Sequence, residues 1–204
     1  MTGSSAPSQA PSRDRLLEAA HDLLYRDGVG VGVEALCRAA KVSKRSMYQL
    51  FDSKEELIAA SLDRAAPSYL SALMGADDQG PSPRERILHV FEYLEQSSCV
   101  ADFRGCPFVA TAVELKSPNH PASEVARRSE GALTDFFETQ ARRGGAPNPR
   151  LLAEQLTVVF DGASSHAVVQ ARPLNGVAVA TATALLDQAG LSQVGPNATG
   201  ADAP

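Results

Sequence analysis

The sequence predicts an all-α protein of about nine helices: three short ones at the N-terminus arranged as a helix-turn-helix, then a larger helical domain. Three observations lead there. Apolar residues repeat at helical spacing in every convincing segment, as in Leu16, Leu17, Ala20, Leu23 and Leu24. Four later segments open on a proline, at 83, 107, 121 and 149, and proline fits the first helical turn because its missing N–H needs no partner there. Finally, the one alternating stretch, "GVGVGV" at 28–33, has no second strand candidate near it.

The first helix is expected over 13–27, with Gly28 where a C-cap glycine belongs. Val33, Leu36, Cys37 and Ala40 share a helix face, which predicts a loop to Gly32 and a second helix from Val33. Val42 and Ser43 make the turn, and Ser43 caps "KRSMYQLF". "DSKEEL" restarts a helix with Asp52 or Ser53 as N-cap and acids three residues on. That helix is expected to break or end near Pro67 and resume to Met74. Further helices are expected behind Ser82–Pro83, from Pro107, over 121–143, from Asn148–Pro149 to about 170, and over 174–189.

The ends, "MTGSSAPSQAPS" and "SQVGPNATGADAP", are rich in small residues and poor in large apolar ones, so residues 1–11 and 192–204 read as disordered tails. Between them the division is 12–60 for the helix-turn-helix domain and 61–191 for the larger one. No apolar run reaches the eighteen or so residues of a membrane span, so no membrane partner is expected. Three cysteines, Cys37, Cys99 and Cys106, are too few for a disulfide framework, which favours a reducing cytoplasm. No cysteine or histidine pair has metal spacing, and neither a metal nor a cofactor is expected.

Charge is distributed unevenly. The formal net charge is −5, yet Arg38 to Lys54 holds five cations against Asp52 alone, a local +4 in a chain whose remainder is −9. This excludes indiscriminate coating of nucleic acid and fits one local contact with an anion. A helix built only to pack in a core would normally run longer than the third one, because nucleation is costly, so its outward face is the place to look. With Leu36, Val42, Met47, Leu50 and Phe51 inward, Lys44, Arg45, Ser46, Tyr48 and Gln49 are free for a DNA major groove. Tyr48 and Lys54 suit phosphates, one as a hydroxyl donor and one as a charge at a helix N-terminus.

The run from "RLLEAAHDLLYRDGV" through "ALCRAAKVSKRSMYQLFDSKEEL" resembles the DNA-binding domain of the tetracycline-repressor (TetR) family of bacterial transcription regulators. Its marks are the Ala-x-Val-Ser turn, the Tyr-x-x-Phe and the following Ser-Lys-x-x-Leu, over about residues 13–60. The resemblance implies a cytoplasmic homodimer that binds double-stranded operator DNA, with a small-molecule pocket and the dimer interface in the larger domain. By similarity Ser43, Lys44, Arg45, Ser46, Tyr48 and Gln49 fall at recognition-helix positions and Lys54 at a phosphate-contacting helix start. Two departures stand out: Lys41 replaces the usual turn glycine, and Val31 and Gly32 replace hydroxyl donors.

His89, Tyr93, Phe103, Cys106, Phe108 and Phe137 are the expected pocket residues. The small and apolar residues of the last two long helices, Leu152, Leu156, Phe160, Ala163, Ala178, Ala182 and Leu185, are the expected dimer interface. The expected function is a repressor that leaves its operator when a ligand bound among the middle helices moves the helix from 54. Alternatives are a redox-responsive regulator using Cys106, with Cys99 as its resolving thiol, and a helical enzyme with Cys106 as nucleophile, a histidine (His89 or His166) as base and Glu114 orienting it. A third is an interaction module that binds no DNA. No glycine-rich phosphate loop, nucleophile elbow or zinc signature supports the enzyme.

Overall fold

The computed structural model describes residues 9–75 and 82–191, all without strands. Nine helices lie among the described residues: α1 (Gln9–Asp27), α2 (Val33–Ala40), α3 (Lys44–Leu50), α4 (Lys54–Met74), α5 (Pro83–Ser98), α6 (Pro107–Leu115), α7 (Pro121–Arg143), α8 (Pro149–Gln170) and α9 (Val177–Gln188). They form two compact units, one running to Ser68 and including Cys106–Ser129, the other comprising Tyr69–Gly105 and the chain from Glu130. A boundary at 60 therefore misses that α6 and the first part of α7 belong with the helix-turn-helix.

In the first unit α1 packs against α2 and α3, and α2 against α3. Leu16, Ala20, Leu36, Met47 and Leu57 are fully enclosed. Each large apolar side chain buried this way stabilises by roughly 1.5–3 kcal/mol. Helix α1 starts at Gln9, so residues 9–11 are helical rather than tail; Pro11 sits in the first turn, where it costs no hydrogen bond. The rest of the two expected tails, 1–8 and 192–204, lies outside the described residues.

Helix α4 does not break at Pro67. The proline removes a single backbone bond, and the helix is held on both sides of it by buried Leu57, Ile58 and Leu62 before and Leu73 after. Its start is doubly capped: Ser53 Oγ accepts from the Glu56 amide at 3.0 Å and the Glu56 carboxylate accepts from the Asp52 amide at 2.6 Å.

The second unit is built on α5, α8 and α9, which pack on one another, with α7 against α8. Ser82 and Glu85 form a complete capping box on α5. Phe91 and Phe137 stack at 5.8 Å between ring centres, both fully buried. Helix α9 begins three residues later than the apolar repeat suggests. Asn175 and Gly176 have φ of 52° and 88°, a pair of left-handed residues that no helix can include, and the Glu95 carboxylate caps the new start by accepting from the amides of Gly176 (2.8 Å) and Val179 (3.0 Å). Leu174, expected as the first helical residue, is instead buried in the turn, its amide bonded to Ser98 Oγ.

Two interactions in this unit hold unusual charge. The Arg84 side chain is buried, donating to the Leu191 carbonyl and pairing with Asp187 at 2.7 Å. Between α7 and α8, the Thr134 and Thr157 hydroxyls meet at 2.9 Å, and one turn away on each helix Glu130 faces Asp161. Burial, and then the charge of Asp161, pushes Glu130 up to about 8; burial raises Asp161 as well. Asp161 Oδ1 is buried without a hydrogen-bond partner among the described residues.

Candidate nucleic-acid interface

The turn between α2 and α3 is set by Lys41, which adopts a left-handed conformation at φ 53° and ψ 44°. Its amide returns to the Arg38 carbonyl at 3.2 Å and that of Val42 to the Cys37 carbonyl at 2.9 Å, which closes the end of α2. Arg15 adds a third bond, from Nε to the Ala40 carbonyl. Lysine thus does what glycine does at this place in related turns, at a cost of about 1 kcal/mol.

Ser43 caps α3, its Oγ accepting from the Ser46 amide at 3.0 Å, with the two hydroxyls 2.8 Å apart. Both serines therefore serve first as the cap. Met47 is fully buried and Phe51 nearly so, with the Arg13 guanidinium over the Phe51 ring at 5.2 Å. This anchors the inner face. Lys44, Arg45, Tyr48 and Gln49 are exposed on the opposite one, and Tyr48 leaves 46% of its surface open, much for an aromatic.

The cations of this face differ in how they are engaged. Lys44 is paired with Glu34 at 2.9 Å, and this hydrogen bond lowers the Glu34 carboxyl and raises the Lys44 ammonium from their ordinary values. Both are largely exposed, so the pair is readily exchanged for another anion. Arg45 has no ion pair among the described residues. Lys54 donates from Nζ to the Val29 carbonyl at 2.7 Å, so its ammonium is fixed at the start of α4 with two hydrogens left over.

The 28–32 loop is gripped from the other side by a residue whose role the sequence did not reveal. Glu114 of α6 accepts from the Val29 amide at 3.0 Å. Gly28, at φ 81°, lets it approach; a Cβ there would lie 2.6 Å from Glu114 Oε2. Eighty-five residues separate donor and acceptor, and no spacing rule connects them. The carboxylate imagined as orienting an enzymatic base is thus a loop anchor.

In the second unit the expected pocket and interface residues fall differently from their spacing. A cavity of about 420 Å³ is lined by Phe103 among others, and a second of about 480 Å³ by His89. Tyr93 lines neither, and Phe137 is core, stacked on Phe91. Cys106 and Phe108 are buried in the first unit, with Cys106 at the N-cap of α6. The six do not converge on either cavity. Leu152, Leu156, Phe160, Ala178 and Ala182 are buried within the single chain and cannot form a surface between chains, while Ala163 and Leu185 are half-buried. What α8 presents outward is Leu151, Val158 and Val169, with exposed Gly162 and Ser165 between them on the same face, and α9 adds Val177 at 57% exposure.

A short, capped helix with an anchored inner face and an open cationic outer one defines a helix-turn-helix DNA-binding protein. Residues 16–61 match the family of bacterial regulatory proteins named for TetR. A solved structure from Streptomyces avermitilis assigned to the TetR transcriptional regulators is 54% identical, with a TM-score of 0.86, over 89% of this chain and 99% of that one. The chain belongs to the TetR family of transcriptional regulators. SCO4454 of Streptomyces coelicolor, a TetR-family regulator 22% identical, shares the fold with a TM-score of 0.77 over 89% of this chain and 97% of its own. The HTH-type transcriptional regulator YjdC of Escherichia coli (strain K12) is 27% identical over 94 residues, 45% of this chain and 48% of that protein. The chain thus spans about half the length of the curated relatives it matches. No described helix is long and apolar enough to cross a membrane.

Proposed function

We propose that the protein is a cytoplasmic, homodimeric repressor that releases its operator when a small molecule binds its second unit. The observation that carries the DNA reading is the two-sidedness of α3: Met47 fully buried, and Arg45, Tyr48 and Gln49 open to solvent one step away. Arg45 and Gln49 have the donors to read base edges, while Tyr48, Lys44 and Lys54 suit phosphates. Ser43 and Ser46 contribute chiefly by fixing the helix.

Pairing of two protomers through the outward faces of α8 and α9 supports recognition of a palindrome, since a two-fold protein meets half-sites about 34–36 Å apart. An isolated chain would leave Leu151, Val158, Val169 and Val177 in water. Effector release requires a ligand with different affinity for two arrangements of the protein. Helix α4, which begins at Lys54 beside the DNA face and continues without a break past Pro67, is the element such a ligand would bias.

Genome-wide mapping of bound DNA, followed by titration of the site found, tests this. Arg45→Ala should lose about 1–3 kcal/mol and relax one base preference, whereas Lys54→Ala should weaken all sequences alike and flatten the salt dependence. Equal binding by wild type and both variants would defeat the assignment of this face.

A further inference from the structure

We infer that Glu34 is a base-selecting residue of the DNA interface, its carboxylate accepting a hydrogen bond from the N4 amine of a cytosine. This rests on the DNA reading above and extends it from α3 to α2. Between Asp27 and Asp52, Glu34 is the sole acid, set among Arg38, Lys41, Lys44 and Arg45. An anion in the cationic segment opposes the phosphate attraction on which such a face depends. Yet its side chain stands 71% exposed, with Oε1 2.9 Å from the Lys44 ammonium.

Lys44 is the first residue of α3, and in a helix-turn-helix the N-terminal residues of the second helix are those that reach base edges. The pair therefore places a carboxylate of α2 at the leading end of the recognition helix. Lys44 also makes an anion tolerable there: its charge cancels that of Glu34, and its two remaining hydrogens can meet a phosphate. The Lys44 hydrogen bond, and then the backbone amide of Glu34 itself, hold the carboxyl below its ordinary range, so at neutral pH it is an acceptor. Approach to it is open, because Gly32 at the N-cap of α2 has no side chain; a Cβ there would lie 3.7 Å from Glu34 Oε2. An ionised carboxylate offers only lone pairs. In the major groove guanine shows it two acceptors, thymine one, and adenine an amine beside N7, whereas cytosine shows a donor alone.

An acid in the first turn also steadies a helix dipole, but that role is indifferent to base sequence, so base preference is the readout. Bound duplexes are selected from a randomised pool with the full-length protein and its variants. The wild type should enrich a fixed C·G pair in each half-site, and replacing that cytosine with another base should weaken binding about fivefold to 150-fold. Glu34→Ala should lose the preference at that pair alone. Glu34→Gln should move it to adenine, whose N6 and N7 an amide meets with one acceptor and one donor. Arg45→Ala should leave this pair fixed and relax another. Pyrimidin-2-one in place of the selected cytosine removes the N4 amine, and should weaken the wild type while leaving Glu34→Ala as it was. The same selected sequence from wild type and Glu34→Ala, or a change only at an A·T pair, would overturn the role of Glu34, while a pair that depends on Arg45 would keep the DNA reading. No enrichment by the wild type would overturn both.

Discussion

Lys54 donates to the carbonyl of Val29 at 2.7 Å, and through that one peptide the start of α4 is tied to the loop before α2. The amide of the same residue is held by Glu114. Glu114→Ala should therefore free the loop without touching the DNA face. A lost hydrogen bond of about 0.5–1.5 kcal/mol corresponds to roughly twofold to thirteenfold more frequent local opening. Hydrogen exchange at the Val29 amide measures it, and unchanged protection would show that the carboxylate does not restrain the loop.

The burial of α8 and α9 residues separates two kinds of variant. Val158→Arg and Val169→Arg alter side chains 70% and 78% exposed, and are expected to give folded monomers. Ala182→Arg places a charge at a position with no exposure and should unfold the chain, because a buried unpaired cation costs several kcal/mol. Sedimentation paired with circular dichroism distinguishes the two. Folded dimers from Val158→Arg and Val169→Arg together would move the interface off α8.

Lys41→Gly should raise thermal stability. Glycine adopts the left-handed turn without strain, although its freer unfolded chain takes back part of the gain, leaving about 0.5 kcal/mol. A calorimetric midpoint one to a few degrees higher is the expected result. A lower midpoint would mean that the lysine stem packs usefully in the turn.

Stability should also depend on pH through Glu130. Its folded-state value of about 8 lies above the ordinary carboxyl range, so the folded protein holds a proton that the unfolded chain has released. The stabilisation is complete below about pH 4.5 and is lost as pH rises through 8. Asp161 is raised in the same direction. Denaturant midpoints measured from pH 5 to 9 should fall in the wild type and fall less in Glu130→Gln, which cannot titrate. Parallel curves would exclude this pair as the source.

Much of this architecture was legible because its signals are local. Pro83, Pro107, Pro121 and Pro149 each mark a helix start, and Ser43 caps α3 as its hydroxyl predicts. The faces of α8 were not legible: Leu152, Leu156 and Phe160 repeat at helical spacing, and so do Leu151, Val158 and Val169, so periodicity alone cannot choose which set faces inward. The start of α9 was misplaced because Leu174 is apolar and in phase with the helix, while Asn175 and Gly176 turn the chain just after it. Continuity through Pro67 depends on anchors either side of it, which no window around the proline contains.

Arg84 has a practical bearing on how the chain can be edited. Its guanidinium is fastened to the Leu191 carbonyl and to Asp187, and Nε has no partner of its own. A stop codon placed after Leu191 leaves both attachments, whereas one placed after Asp187 strips the carbonyl and leaves a nearly buried cation on a single carboxylate that is itself 61% exposed. Affinity tags and fluorescent fusions at this end therefore belong beyond residue 191, and Arg84→Met is the companion change that would let a shorter chain tolerate the cut.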